Sequence, residues 1–232
     1  MDKTYRLCYN IIMDTNHTEV FNSKKVDLLE NIARPFGINI LESDRSYWDS
    51  IITVANAVDD LVDEDKVENL TPYLDDVRAG RQIPHLSLDN AQKFSEIYYN
   101  LTPERQARIE RTAKIADYAI LQSQTTEVDE YISLKMKESK LFSDSLKIDV
   151  EHDDYKARNR FNIWLPSFGK AFYAVDTFKD IKEDYEKKNT IIEPTHRVML
   201  KLGFFALNKT FDSMAAAPFG TKKVIATMAA DL

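Results

Sequence analysis

Five glycines and seven prolines in 232 residues leave this chain very little material for tight turns. Sandwiches and barrels reverse direction about every 8–12 residues and mark those reversals with Gly, Pro or Asn clusters. The scarcity therefore directs the chain towards long helices. Apolar residues recurring three and four apart agree with that, as in Trp48, Ile51, Ile52 and Ala55. With 44% hydrophobic residues the chain can bury one sizeable core, which excludes disordered and collagen-like classes. The expectation is an all-α, single-domain antiparallel helical bundle over residues 1–232, with no repeat, linker or low-complexity block.

Charge and cysteine usage narrow the function classes. A formal net charge of −7 disfavours nucleic acid and anionic membrane surfaces as partners. Cys8 stands alone, so neither an intrachain disulfide nor a thiolate metal cluster can form. No stretch approaches the roughly 20 apolar residues of a membrane span. The short run from Leu7 to Met13, behind Lys3 and Arg6, has no small-residue cleavage site after it, which reads as cytoplasmic. His17, His85, His152 and His196 are scattered and match no metal-binding spacing.

Helix boundaries follow from caps and breakers. A first amphipathic stretch within residues 20–40 ends at Arg34-Pro35-Phe36-Gly37, and a second begins at Ser43 or Asp44 and runs to Asp59. Further helices are expected at about 70–79 (closed by Gly80), 89–99, 103–122 (Thr102 cap, Pro103 first) and 125–146. A long segment at 153–187 should break or kink near Pro166 and Gly169, and helices at about 194–215 and 220–230 complete the chain.

Two acidic constellations stand out on this scaffold. Asp59, Asp60 and Asp63 lie at the C-terminal end of an apolar helix, and Asp59 and Asp63 share a face. Carboxylates there repel one another and oppose the macrodipole, so folding alone gives no reason to collect them. Asp176, Asp180 and Asp184 repeat the arrangement. Stepping back along the same faces gives Phe172, Phe168, Trp164 or Leu165 and Phe161 on one helix, and Ala55 or Asn56, Ile52 and Trp48 on the other. A charge run is usually a solvated face and an aromatic stripe usually core. Two such helices in one chain, each apolar below and acidic at its end, suit a different use: magnesium, held by carboxylates, bridging to the diphosphate head of a ligand with a hydrocarbon tail.

At these residues the chain resembles the class I isoprenoid synthases, which include trans-prenyltransferases, squalene and phytoene synthases and terpene cyclases. Asp59-Asp60-Leu61-Val62-Asp63 matches their first DDxxD motif. The segment from Gly169 to Asp180 is similar to the region of their second motif, with Thr177 in place of its second Asp, and Lys137-Glu138-Ser139-Lys140 is similar to their diphosphate-binding lysine segment. The similarity covers roughly residues 47–189. It implies an isoprenoid synthase type of bundle in which Asp59, Asp60 and Asp63 bind two Mg²⁺ ions and Asp176, Asp180 and Asp184 a third. It also implies that Asp59, Asp63 and Asp180 are catalytic. Lys137 would hold the diphosphate, with Arg158, Lys182, Arg160 or Lys187 as further cationic donors, and Phe168, Phe172 and Trp164 would face the prenyl chain.

The departures shape the expected activity. Arg34-Pro35 lacks the preceding Gly-Lys of chain-elongating members, and Lys66-Val67-Glu68-Asn69 stands where they carry paired arginines. The expected function is a Mg²⁺-dependent terpene synthase that ionises an allylic prenyl diphosphate and cyclises or quenches the cation. Two alternatives stand beside it: a prenyltransferase serving a non-standard acceptor or a second prenyl diphosphate, and a helical interaction protein with acidic faces. Oligomeric state, a homodimer included, is left open.

Overall fold

The computed structural model describes residues 18–65, 67, 69–150 and 153–229. Cys8, the run from Lys3 to Met13, His17, Lys66, Glu68 and His152 lie outside the described residues. Within them the chain is all-helical, without a strand; Ile83 and Leu86 form an isolated antiparallel bridge.

In chain order the helices are α1 (Thr18–Ala33), α2 (Glu42–Asp63), α3 (Thr71–Arg78), α4 (Leu88–Tyr99) and α5 (Pro103–Arg111). They continue as α6 (Lys114–Gln124), α7 (Val128–Ser145), α8 (Tyr155–Glu186), α9 (His196–Ala216) and α10 (Phe219–Ala229). After α1 the Pro35 turn and Gly37, at φ 86°, end the first helical stretch as the sequence predicts. Ser87, Thr102 and Thr195 cap α4, α5 and α9 through their hydroxyls.

Helix α2 begins at Glu42 and runs on to Asp63, and α7 begins only at Val128, a few residues from the expected ends; two interior breaks differ more. The helix expected over 103–122 is interrupted at Thr112, whose hydroxyl donates to the Ile109 carbonyl and competes with the backbone ladder. The break expected at Pro166 is absent, and α8 runs through it for 32 residues. A helix-interior proline forfeits one backbone hydrogen bond, at a cost of about 3 kcal/mol. Trp164, Leu165, Phe168 and Gly169 on either side are buried, and this packing offsets the loss.

Helix α8 is the spine. It packs against α7 on one side and α9 on the other, while α2 packs on α1 and α4. Gly169 permits the close approach of α8 to α7, since a Cβ there would run into Ser143 Oγ. Trp164 Nε1 donates to the Ser213 carbonyl at 2.8 Å and ties α8 to α9. The main core joins Ile32, Trp48, Ile52, Leu61, Phe161 and Leu165 across α1, α2 and α8.

The relation of α2 to α8 positions the site. Their first turns are joined by Arg158, which meets Asp44 at 2.8 Å, and by the rings of Trp48 and Phe161, 6.3 Å apart. Both chains then rise in the same sense, Asp59 lying fifteen residues beyond Asp44 and Asp176 eighteen beyond Arg158. At 1.5 Å per residue both acidic motifs begin about 20–30 Å from that junction, at the same end of the bundle.

Candidate functional site

Between α2 and α8 lies a cavity of about 340 Å³ that receives both acidic motifs. Asp59 and Asp63 enter it from α2, and Asp176, Asp180 and Asp184 from α8. Ile51, Ile52 and Ala55 of α2 continue its wall inward, facing Leu165, Phe168 and Phe172 of α8. Phe94 of α4 and Ile109 and Ile115 near the α5–α6 break add further apolar surface. The walls come from elements distant in sequence, and the polar mouth comes from two four-residue spacings.

The carboxylates face the cavity and are reached by water from it, yet the protein around them removes enough solvent to disfavour their charge. Burial pushes Asp59 up to about 7, helped by Asp63 and Glu138 and opposed by Lys135 and Lys25. Asp180 is also pushed up to about 7, by burial and then by Asp176, Asp184 and Glu183. Asp176 and Asp184 shift upward in the same way, burial first, with Lys135 as the largest opposing charge for each. Three like charges in one file on α8 and two on α2 thus meet across one space.

Three lysines line the same space, Lys135, Lys25 and Lys179, none of them among the residues that the sequence points to. Lys135 of α7 is 22% exposed at its side chain and lies 3.7 Å from Glu138. Burial works against its charge, but Glu138, Tyr131, Asp184 and Asp59 together hold its pKa well above the usual lysine value. Lys25 of α1 lines the same cavity and donates to Asn56 Oδ1 at 2.9 Å. Burial lowers its pKa while Asp59, Asp176 and Asp60 pull the other way. Glu138, buried and accepting from Gln122 Nε2 at 2.8 Å, and Tyr173 add to the polar lining.

The remaining expected residues are placed elsewhere. Asp60, one position round the helix from Asp59, does not line the cavity, and burial and Glu64 raise its pKa. Lys137 is exposed and sits over the Tyr118 ring at 5.9 Å, outside the cavity. Helical phase is the reason: Lys135, Glu138, Phe142 and Ser145 follow the three-and-four spacing of one face, and Lys137 is about 200° round from Lys135. That spacing was the signal available for Lys135. Lys182 is exposed outside the cavity lining for the same reason of phase, whereas Lys179 lines it. Lys187 pairs with Glu183 on the surface.

Arg158 sits at the far end from the acidic mouth. Its guanidinium is buried between Asp44 and Asp154 and donates to the carbonyls of Asn39 and Asp149. It closes the α2–α8 junction and is a positioning residue of the fold. Arg160 donates to the Phe36 carbonyl. Trp164 is 4% exposed and packs with Phe36, Phe161 and Phe168 behind the cavity wall, while Phe168 and Phe172 line it.

Two predictions arise here. Lys135→Met is expected to cost about 2–3 kcal/mol by chemical denaturation, because it leaves Glu138 and the aspartates without their main counter-charge. Lys137→Met should stay within about 0.5 kcal/mol. Equal effects would refute this assignment of the cavity's cation. Separately, carboxyls that bind protons more tightly folded than unfolded make stability fall as pH rises between the ordinary value of 3.8 and about 7. The EDTA-treated protein should therefore melt higher at about pH 5.5 than at about pH 7.5, and Asp59→Asn/Asp180→Asn should flatten that difference; an unchanged slope would contradict the raised values.

The donor set at the mouth, carboxylates alone and mutually repelling, fits a hard divalent cation. Among the described residues no three His, Cys, Asp or Glu side chains are drawn together as a ready ligand set. A cation there needs water or ligand oxygens to complete its shell.

The described residues are all-helical and enclose an acid-mouthed cavity with aromatic residues in its walls. No protein-family model, curated protein or solved structure matches the chain. Among the described residues no helix is long and apolar enough to cross a membrane.

Proposed function

We propose that this protein is a Mg²⁺-dependent class I terpene synthase, with a bundle of the isoprenoid synthase type, acting on an allylic prenyl diphosphate. One observation carries the reading: two aspartate motifs more than a hundred residues apart open into one cavity whose inner walls are apolar and aromatic. Asp59 and Asp63 on α2, and Asp176, Asp180 and Asp184 on α8, would hold magnesium. Bound there, the metal would supply positive charge for the diphosphate as it leaves.

The chain's own groups account for the rest. Lys135 and Lys25 present ammonium donors to the diphosphate oxygens within a mouth otherwise negative. When the allylic C–O bond breaks, its electron pair departs with the diphosphate and a carbocation remains in the cavity. Phe142, Phe168, Phe172 and Tyr173 offer it ring faces, worth roughly 0.5–2 kcal/mol each where geometry suits. Ile51, Ile52 and Leu165 keep that region short of nucleophilic water. Proton loss or addition of one water then ends the reaction.

The test is incubation with geranyl, farnesyl and geranylgeranyl diphosphates, with Mg²⁺ or EDTA, following released pyrophosphate and extractable products together. Mg²⁺-dependent release with a hydrocarbon or alcohol product is expected. Release that yields a defined product only with an added acceptor would convert the assignment to prenyltransferase. No release from any of the three would overturn it.

A further inference from the structure

Helix α9 carries an apolar stripe that the cavity does not use. Leu200, Phe204, Leu207 and Phe211 are 50%, 66%, 40% and 66% exposed. The opposite side of α9 is the one that packs inward: Leu202 contacts Ile181, Ala206 joins Ala174 and Val175, and Ser213 accepts from Trp164. At about 100° per residue the exposed stripe is centred about 135° round from that buried face. Its spacing of four, three and four is the seam of a helix that pairs with another helix.

We propose that this stripe joins two copies of the chain, α9 lying antiparallel against α9 across a two-fold axis. The order of side chains is the first argument. In the antiparallel register centred between Phe204 and Leu207, Leu200 meets the partner's Phe211 and Phe204 meets the partner's Leu207. Every contact then sets a large ring against a smaller branched chain, and each residue makes the contact its counterpart makes, as a two-fold interface requires. The parallel register would instead set Phe on Phe and Leu on Leu.

Area and charge agree. The exposed parts of these four side chains amount to about 400 Å² of apolar surface, close to the non-polar share of a standard interface of about 800 Å² per partner. His196 and Arg197 open α9, and the antiparallel arrangement brings them to the C-terminal turns of the partner helix, where the macrodipole is negative. A lipid surface is a poorer match. The lysines bordering the stripe, Lys201 and Lys209, are already engaged by Asp129 at 2.7 Å and Asp212 at 3.1 Å, and the chain carries a net −7. Pairing at α9 also braces the second acidic motif from behind, because Phe178 of α8 lies against Gly203 of α9.

Sedimentation velocity on the full chain tests this. A dimer is expected at micromolar concentration, and Phe204→Glu/Phe211→Glu should sediment as a monomer with an unchanged helical circular dichroism spectrum. A wild-type monomer at about 50 µM, or a dimer that survives the double substitution, overturns the proposal. A wild-type monomer that pelleted with phosphatidylcholine–phosphatidylserine vesicles would overturn it in favour of a membrane surface. Should the charged variant misfold, disulfide trapping in a Cys8→Ser background decides. Leu200→Cys mixed with Phe211→Cys is expected to cross-link, and Leu200→Cys cross-linking to itself refutes the register. All these readouts are independent of the chemistry of the cavity.

Discussion

Asp59→Asn/Asp180→Asn is expected to abolish Mg²⁺-dependent diphosphate release while raising the melting temperature of the metal-free protein. The loss should be at least about 10²–10³-fold, the scale on which removing charge-stabilising contacts at a reacting centre acts. The gain in stability has a separate cause. Both carboxyls are held near 7 because burial and neighbouring carboxylates oppose their charge, so an uncharged isostere removes a conflict from the folded state. Opposite signs for activity and stability mark a site organised for something other than folding. A solvated acidic surface would give neither effect, so a variant that kept both wild-type activity and wild-type melting behaviour would sink the functional reading.

Arg158→Ala should produce the largest stability loss, about 3–5 kcal/mol, because it leaves the Asp44 carboxylate buried beside Asp154 with no counter-charge. For a chain of this length that corresponds to about 10 °C in melting temperature. Arg158→Lys should recover only part of it, since an ammonium cannot reproduce the fork that meets Asp44 with two nitrogens. The measurement is thermal and denaturant unfolding followed by circular dichroism. A variant of normal stability but raised KM for a prenyl diphosphate would return Arg158 to the ligand-binding role that the sequence alone suggested.

Much of the scaffold is legible before any coordinate. The stop at Pro35 and Gly37, the end of α3 before Gly80 at φ 69°, and the cap at Thr102 depend on interactions within a few residues. The aspartate spacings are local in the same sense, since one helical turn determines that Asp59 and Asp63, or Asp176, Asp180 and Asp184, share a face. The two breaks that differ have different causes, tertiary packing at one and a side-chain bond to the backbone at the other. Pro166 is carried through α8 by burial on both sides, and Thr112 ends α5 through a hydroxyl bond that helix propensity does not weigh.

The choice of cations shows the limit most sharply. Lys137, Arg158 and Lys182 carry the right charge in the right part of the chain, yet the cavity takes Lys135 from α7, Lys179 from α8 and Lys25 from α1. Lys135 could be reached from helical phase. Lys25 could not, because its place depends on how α1 lies against α2, a contact between segments that no short-range spacing encodes. The sequence by itself determined the helical class, the turns that separate its helices and the faces on which acid and aromatic residues gather. Only the tertiary structure decided that two of those faces enclose one space, which lysines enter it and which apolar stripe stays outside. Periodicity is written within a turn of the chain, whereas the partner of a face is selected by packing summed over the whole core.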